Sequence, residues 1–130
     1  MSALRRFCAC RSGSTAVEFA MVGMIMLVTM LGIVELGRGL NVRNQLSQAA
    51  DFGARAVLMN KTISDSGLEA VIRAAFQAAS PDQLQVTVGA EVVNGLQFRT
   101  VSVSYPFVPL TWGFSTGTIN LSVSRRTPVI

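Results

Sequence analysis

The chain has 130 residues, of which 50% are hydrophobic, with a mean hydropathy of +0.46 and a formal net charge of +4. It is more apolar than an average soluble domain, and the excess is local, because residues 19–34 carry no charge. The basic residues beyond this run are scattered and do not alternate with aromatic residues, so the pattern argues against a nucleic-acid partner. We therefore predict a membrane-associated protein.

The first predicted element is an apolar helix behind a basic leader. Arg5, Arg6 and Arg11 precede the apolar run with no acid among them, which favours a cytoplasmic N-terminus. At about 1.5 Å per residue, a helix over residues 14–36 approaches the roughly 30 Å thickness of a bilayer core. We predict a single transmembrane helix there, followed by one small domain.

The leader and the apolar run also resemble parts of a secretory signal. The run is longer than a usual signal-peptide core and lacks a clear cleavage signal of small residues at its far end, so we expect it to be retained. Cys8 and Cys10 both lie in the leader, where the reducing cytosol disfavours a disulfide. The chain has no histidine, and Cys-x-Cys alone would lack ligands, so we predict neither a metal site nor a cofactor.

The helix is predicted to continue beyond the apolar run and to end near Asn60. Apolar positions, with the stem of one arginine, recur there at spacings of three and four. They are Leu36, Leu40, Arg43, Leu46, Ala50, Ala54, Val57 and Leu58. Gly37 and Gly39 are the positions at which a bend is plausible.

A second, shorter helix is predicted over "SGLEAVIRAAFQAAS". Ser66 and Glu69 have the spacing of a capping box, and Pro81 is expected to stop the helix. Alternation then predicts a strand over residues 84–92, and Asn94-Gly95 is a strong hairpin signal.

The returning strand changes phase, which predicts a bulge near Arg99–Thr100. A loop with Trp112 and Phe114 follows, and these aromatic residues either close the core or form a subunit contact. A last strand alternates Ile119, Leu121 and Val123. We predict an α+β fold: a long N-terminal helix, a short helix and a three-stranded antiparallel meander.

The segment "GSTAVEF", Gly13 to Phe19, resembles the type IV prepilin processing signal: a glycine, a cut, four residues, then glutamate and an aromatic residue. With "ELGR" and "QLSQAADFGARA", it also resembles the TadE family of pseudopilins from tight-adherence (Flp) pilus systems. Major Flp pilins usually have tyrosine where Phe19 stands. The strand segments "VSVSYPFVPL" and "INLSVSRR" look like the C-terminal part of that family. The resemblance implies a type IV pilin-like fold.

The resemblance further implies that a prepilin peptidase cuts between Gly13 and Ser14 on the cytoplasmic face. Residues 1–13 would then be a cleaved leader, 14–36 the transmembrane helix and 37–130 a periplasmic domain. Cleavage would create an α-amine on Ser14, which is largely protonated at neutral pH. Glu18 could pair with the Ser14 amine of a neighbouring subunit and fix their axial register, or it could merely reach the lipid headgroups.

The function implied is that of a minor pilin-like subunit needed to assemble an Flp/Tad pilus, the organelle of adhesion and biofilm formation. Its partners would be the inner membrane, the prepilin peptidase, other pilin and pseudopilin subunits and the pilus assembly platform. The alternative is an uncleaved single-pass anchor whose periplasmic domain scaffolds a secretion apparatus. Glu35 and Arg38 form a candidate interfacial pair, or mark the end of the membrane helix. No arrangement of residues predicts an enzyme.

Overall fold

The computed structural model describes residues 12–77, 80–110 and 117–129. Two helices precede three strands: α1 Ser12–Met59, α2 Asp65–Ala75, β1 Gln85–Val93, β2 Leu96–Phe107 and β3 Ile119–Val129. A single 3₁₀ turn, Pro81–Gln83, leads into β1. The predicted α+β fold is confirmed, and α1 ends one residue before the predicted end.

The chain divides into two compact units between Leu36 and Gly37, and α1 contributes to both. In the first unit the apolar side chains of α1 are exposed, and none of the most apolar 18-residue window is buried within the molecule. This helix is the one described element long and apolar enough to cross a membrane, by length and composition. The exposed apolar residues include the consecutive positions from Met24 to Val28, so they stand on all sides of the helix, and a surface that no described residue covers needs another apolar environment.

The second unit has its own core, in which the later part of α1 and α2 pack against one face of the sheet. The largest of its fully buried side chains come from α1, α2, β2 and the residue before β1. They are Leu46, Val57, Leu68, Ile72, Leu84, Val101 and Val103. Ala49 and Ala50 are also fully buried, and a Cβ on Gly53 would lie 2.9 Å from the side chain of Ile72. Small residues on α1 therefore allow α2 to approach closely.

The predicted apolar stripe of α1 is only partly correct. Leu46, Ala50 and Val57 are buried as expected, but Leu40 and Leu58 are more than half exposed. The buried face instead takes in Ala49 and Gly53. Small residues leave room for a neighbouring helix, and large residues do not. The size of the side chains, and not hydrophobicity alone, therefore determines which side of α1 is buried.

Helix α2 is shorter than predicted and has a different cap. Ser64, not Ser66, is the N-cap, and its hydroxyl accepts a hydrogen bond from the Gly67 backbone N–H at 3.1 Å. Glu69 does not complete a capping box but pairs with Arg73 one turn later, at 2.8 Å. The helix ends at Ala75, before the proline that was expected to stop it, because the next residue is extended and carries a buried ring into the core.

The sheet has the order β1-β2-β3, with both neighbouring pairs antiparallel. Asn94 and Gly95 have φ of 53° and 80°, so the predicted hairpin turn is confirmed. The predicted bulge near Arg99–Thr100 is wrong, since β1 and β2 pair without interruption from Val93↔Leu96 to Gln85↔Ser104. The alternation of side chains along β2 is not interrupted, because Phe98 lies on the outer face of the sheet, away from the helices. There the Arg126 guanidinium lies 4.3 Å from the centroid of the Phe98 ring.

Polar contacts hold the helices to the sheet. Arg125 of β3 donates to the carboxylate of Asp51 at 2.7 Å and to the hydroxyl of Ser47 at 2.8 Å, both on α1. Arg99 of β2 donates to the carbonyl of Ile63 at 2.9 Å and pairs with Asp65 at the start of α2. The side chain of Arg99 is less exposed than that of Arg125, so its ion pair should contribute more to the free energy of unfolding.

The leader residues Arg5, Arg6 and Arg11 lie outside the described residues, as do Cys8 and Cys10. Trp112 and Phe114, for which a core and a contact role were both open, lie outside them as well. Their roles stay predictions.

Candidate functional site

The predicted processing signal lies at the beginning of α1. Gly13 and Ser14 are in its first turn, and a Cβ on Gly13 would meet no atom within 4 Å. The bond between them is therefore accessible but helical, and a peptidase that reads an extended substrate would have to unwind this turn. Glycine lowers that cost, because it is about 1 kcal/mol less favourable than alanine in a helix.

Glu18 and Phe19 follow in the second turn and point out of the helix, with Phe19 79% exposed. No hydrogen bond or ion pair joins Glu18 to any described residue, and the first turn of the helix contains no acid. Removal of residues 1–13 would bring a new positive helix terminus to four residues from Glu18, where a carboxylate is favoured. The position of Glu18 thus suits a partner that no described residue supplies.

Glu35 and Arg38 lie on either side of the division between the units. Their mutual pairing stays a prediction. The Arg38 guanidinium lies 5.4 Å from the centroid of the Phe107 ring on β2, a cation–π contact. Sequence reasoning missed this contact, because nothing in the local pattern around Arg38 points to a residue so distant along the chain.

Next to this contact is an open cavity of about 480 Å³ within the second unit. Amides, hydroxyls and one guanidinium line it, with no acidic side chain among them. The polar lining is Arg38, Asn41, Gln45, Gln77, Ser80, Gln83 and Tyr105. The side-chain oxygen of Gln45, one of these lining residues, is buried and has no hydrogen-bond partner among the described residues.

Comparison with known proteins finds one similarity, in the N-terminal part of the chain. Residues 13–55 match the family model TadE, described as TadE-like protein. Over these residues the chain is similar to the TadE family. The match begins at the predicted scissile glycine and covers most of α1.

The family match ends before α2 and the sheet, so the likeness of the strand segments to the C-terminal part of TadE proteins stays a prediction. The curated proteins and the solved structures provide no match to the chain. Beyond residue 55, the second unit is therefore described by its fold alone. The segment that is similar to TadE proteins contains both the predicted processing signal and the start of the candidate membrane span.

Proposed function

We propose that this TadE-like protein is a minor pilin-like subunit, a pseudopilin, needed to assemble a Tad pilus. It sits in the bacterial inner membrane, with its N-terminus in the cytoplasm and residues 37–130 in the periplasm. A prepilin peptidase removes residues 1–13, and the mature subunit then contacts other pilins and the assembly platform. No catalytic activity of its own is proposed.

One observation carries this proposal. The segment from Gly13 to Phe19 stands at the start of the candidate membrane helix, inside the segment that matches the TadE family. A carboxylate near the bilayer centre costs about 2.5–3.5 kcal/mol, and less near the interface. Glu18 recovers this cost if the Ser14 amine of a neighbouring subunit pairs with it, and one axial offset satisfies that pair.

The test of processing is Gly13→Leu, which adds bulk at the scissile position. Protein extracted from membranes that contain a prepilin peptidase should begin at Ser14 in the wild type and at Met1 in the variant, as read by N-terminal sequencing. Gly32→Leu is the matched control, since a Cβ there also meets nothing within 4 Å and the residue lies outside the signal. It should be cut normally.

A wild-type chain that keeps Met1 beside an active peptidase would sink the pseudopilin proposal and favour the second candidate. That candidate is an uncleaved single-pass anchor that scaffolds a secretion apparatus. The helical state of the Gly13–Ser14 bond favours it, because a folded helix is a poor protease substrate. A periplasm-specific reporter fused after Ile130 tests the orientation, which both candidates share.

The variant Glu18→Ala distinguishes a role of Glu18 in the axial register of neighbouring subunits from a role in cleavage by the peptidase. The variant should insert and be cut normally, because the change removes a charge from the apolar helix. It should lose co-purification with other pilus components, because an unpaired Ser14 ammonium in an apolar bundle is costly. Crosslinking in membranes measures this, with Thr15→Ala as the control. Unchanged crosslinks and piliation would show that Glu18 only reaches the headgroups.

A further inference from the structure

The sequence contains two tripeptides of the form Asn-x-Ser/Thr in which the middle residue is not proline. They are Asn60-Lys61-Thr62 and Asn120-Leu121-Ser122. This pattern is the acceptor for N-linked glycosylation of exported proteins, but it is short and also occurs by chance. The local structure therefore has to distinguish an asparagine that can react from one that cannot.

The first tripeptide lies in the turn that joins α1 to α2. Residues 58–62 are all exposed. The backbone N–H of Asn60 donates to the carbonyl of Ala56 at 2.9 Å, and the N–H of Ile63 donates to the carbonyl of Asn60 at 3.2 Å. The turn is thus fixed by backbone hydrogen bonds while its side chains remain open to a partner.

Both donors of Thr62 are directed at the side-chain oxygen of Asn60. The Thr62 backbone N–H donates to it at 3.1 Å and the Thr62 hydroxyl at 2.9 Å, which is an Asx-turn. Because a backbone N–H can only donate, the atom that it contacts is the amide oxygen and not the amide nitrogen. The nitrogen, Nδ2, has no hydrogen bond to any described residue.

This arrangement favours reaction at the nitrogen. A side-chain amide is a poor nucleophile, because the lone pair of its nitrogen is delocalised into the carbonyl group. When Nδ2 loses a proton, negative charge develops on the amide oxygen, and the two donors of Thr62 are already aimed at that oxygen. The third position of the tripeptide therefore supplies a hydroxyl that stabilises the reacting form of Asn60.

The second tripeptide has a different backbone. Asn120 and Ser122 lie in β3, where Asn120 is paired with Pro106 of β2. Positions two residues apart in a strand are separated by about 6.8 Å, so the extended backbone cannot close an Asx-turn. Both residues are exposed, as those of the first tripeptide are. Exposure does not distinguish the two tripeptides, but the shape of the backbone does.

We propose that Asn60 is the acceptor of an N-linked glycan, which a membrane oligosaccharyltransferase transfers from a lipid-linked oligosaccharide pyrophosphate. Nδ2 forms a bond to the anomeric carbon of the first sugar, and the bond between that carbon and the pyrophosphate oxygen breaks. The electron pair leaves with the lipid pyrophosphate, and a base of the transferase takes the proton from Nδ2. The transfer needs no oxidant and no reductant.

The inference goes beyond the proposed subunit role and rests on it in one respect, the periplasmic location of residues 37–130. It does not depend on cleavage by the prepilin peptidase. A glycan at this position would also cover an apolar part of the surface. Met59 is 88% exposed and Leu58 is 57% exposed, and both directly precede Asn60.

The experiment uses the full chain, extracted from the membranes of cells that naturally produce it. Gel mobility and glycopeptide mass spectrometry should show one oligosaccharide on the peptide that contains Asn60. Asn60→Gln should abolish the shift in mobility and in mass. Thr62→Val, which removes the hydroxyl but keeps the backbone N–H, should abolish it too, whereas Thr62→Ser should retain it. Asn120→Gln is the matched control and should leave the shift unchanged.

The outcomes that would overturn the proposal are distinct. A wild-type chain with the mass of the unmodified polypeptide would do so, as would a glycan that persists in Asn60→Gln or disappears in Asn120→Gln. An unmodified chain that begins at Ser14 would refute the glycan and leave the pseudopilin proposal standing. A glycan on Asn60 of a chain that keeps Met1 would support the inference and favour the uncleaved anchor.

Discussion

The residues up to Leu36 and the unit that begins at Gly37 use apolar side chains in opposite ways, although one helix passes through both. Leu31 is 60% exposed on α1, whereas Leu46 on the same helix is 0% exposed. The second unit buries three leucines, Leu46, Leu68 and Leu84, among its own residues, whereas every described leucine of the first unit is exposed. This exposure fits the candidate membrane span, in which lipid or neighbouring helices would cover the side chains.

The largest expected effect tests whether the stability of the second unit comes from its own core. Leu46→Ala should lower the free energy of unfolding of the second unit by about 2–5 kcal/mol, because it leaves a cavity in a closed core. Leu31→Ala removes the same atoms from the same helix and should change that free energy by less than about 0.5 kcal/mol. Pulse proteolysis of the full chain in urea, solubilised in mild detergent, measures both. Equal losses would erase the contrast between the two regions.

A second pair of variants asks what surrounds two leucines of similar exposure. Leu27 is 64% exposed and Leu58 is 57% exposed. Leu27→Arg should reduce the membrane-bound fraction, because an arginine at the centre of a membrane helix costs about 2.5–3.5 kcal/mol. Leu58→Arg should leave that fraction unchanged, because its side chain faces water. Alkaline extraction of membranes followed by immunoblotting gives the fractions, and equal retention of the two variants would count against a membrane span.

Features of the fold that depend on residues close in sequence could be predicted, and features that depend on distant residues could not. The end of α1 and the turn at Asn94-Gly95 were predicted correctly, because helical periodicity and φ > 0 preferences are local. The exposure of Leu40 and Leu58 was not, because apolar residues flank the buried stripe on both sides. The false bulge arose because Phe98 was assigned to the core, although it packs against Arg126 on the other face.

The candidate site also has one part that could be predicted from the sequence and one part that could not. The predicted signal from Gly13 to Phe19 is continuous in sequence, although nothing in its residues showed that the bond between Gly13 and Ser14 would be helical. The stacking of Arg38 on Phe107 and the amide-lined cavity beside it join α1 to residues far along the chain. Such contacts depend on tertiary packing, which a pattern of one segment does not contain.

The smallest expected effect concerns α2, which belongs wholly to the unit with its own core. Ser64→Ala should cost about 1 kcal/mol, because the Gly67 N–H loses the hydroxyl that accepts its hydrogen bond. Ser66→Ala is the matched control. It removes a hydroxyl that lies 3.2 Å from the Ser64 oxygen but does not cap the helix, so it should cost only a few tenths of that.

The same urea proteolysis measures both serine variants, and the membrane-bound fraction should not change in either. If Ser66→Ala proved the costlier variant, the capping box first predicted from Ser66 and Glu69 would describe the helix better than the cap at Ser64. If Ser64→Ala altered membrane retention, the two regions would be coupled in stability. The contrast between a unit that stabilises itself and a helix that depends on its surroundings would then fail.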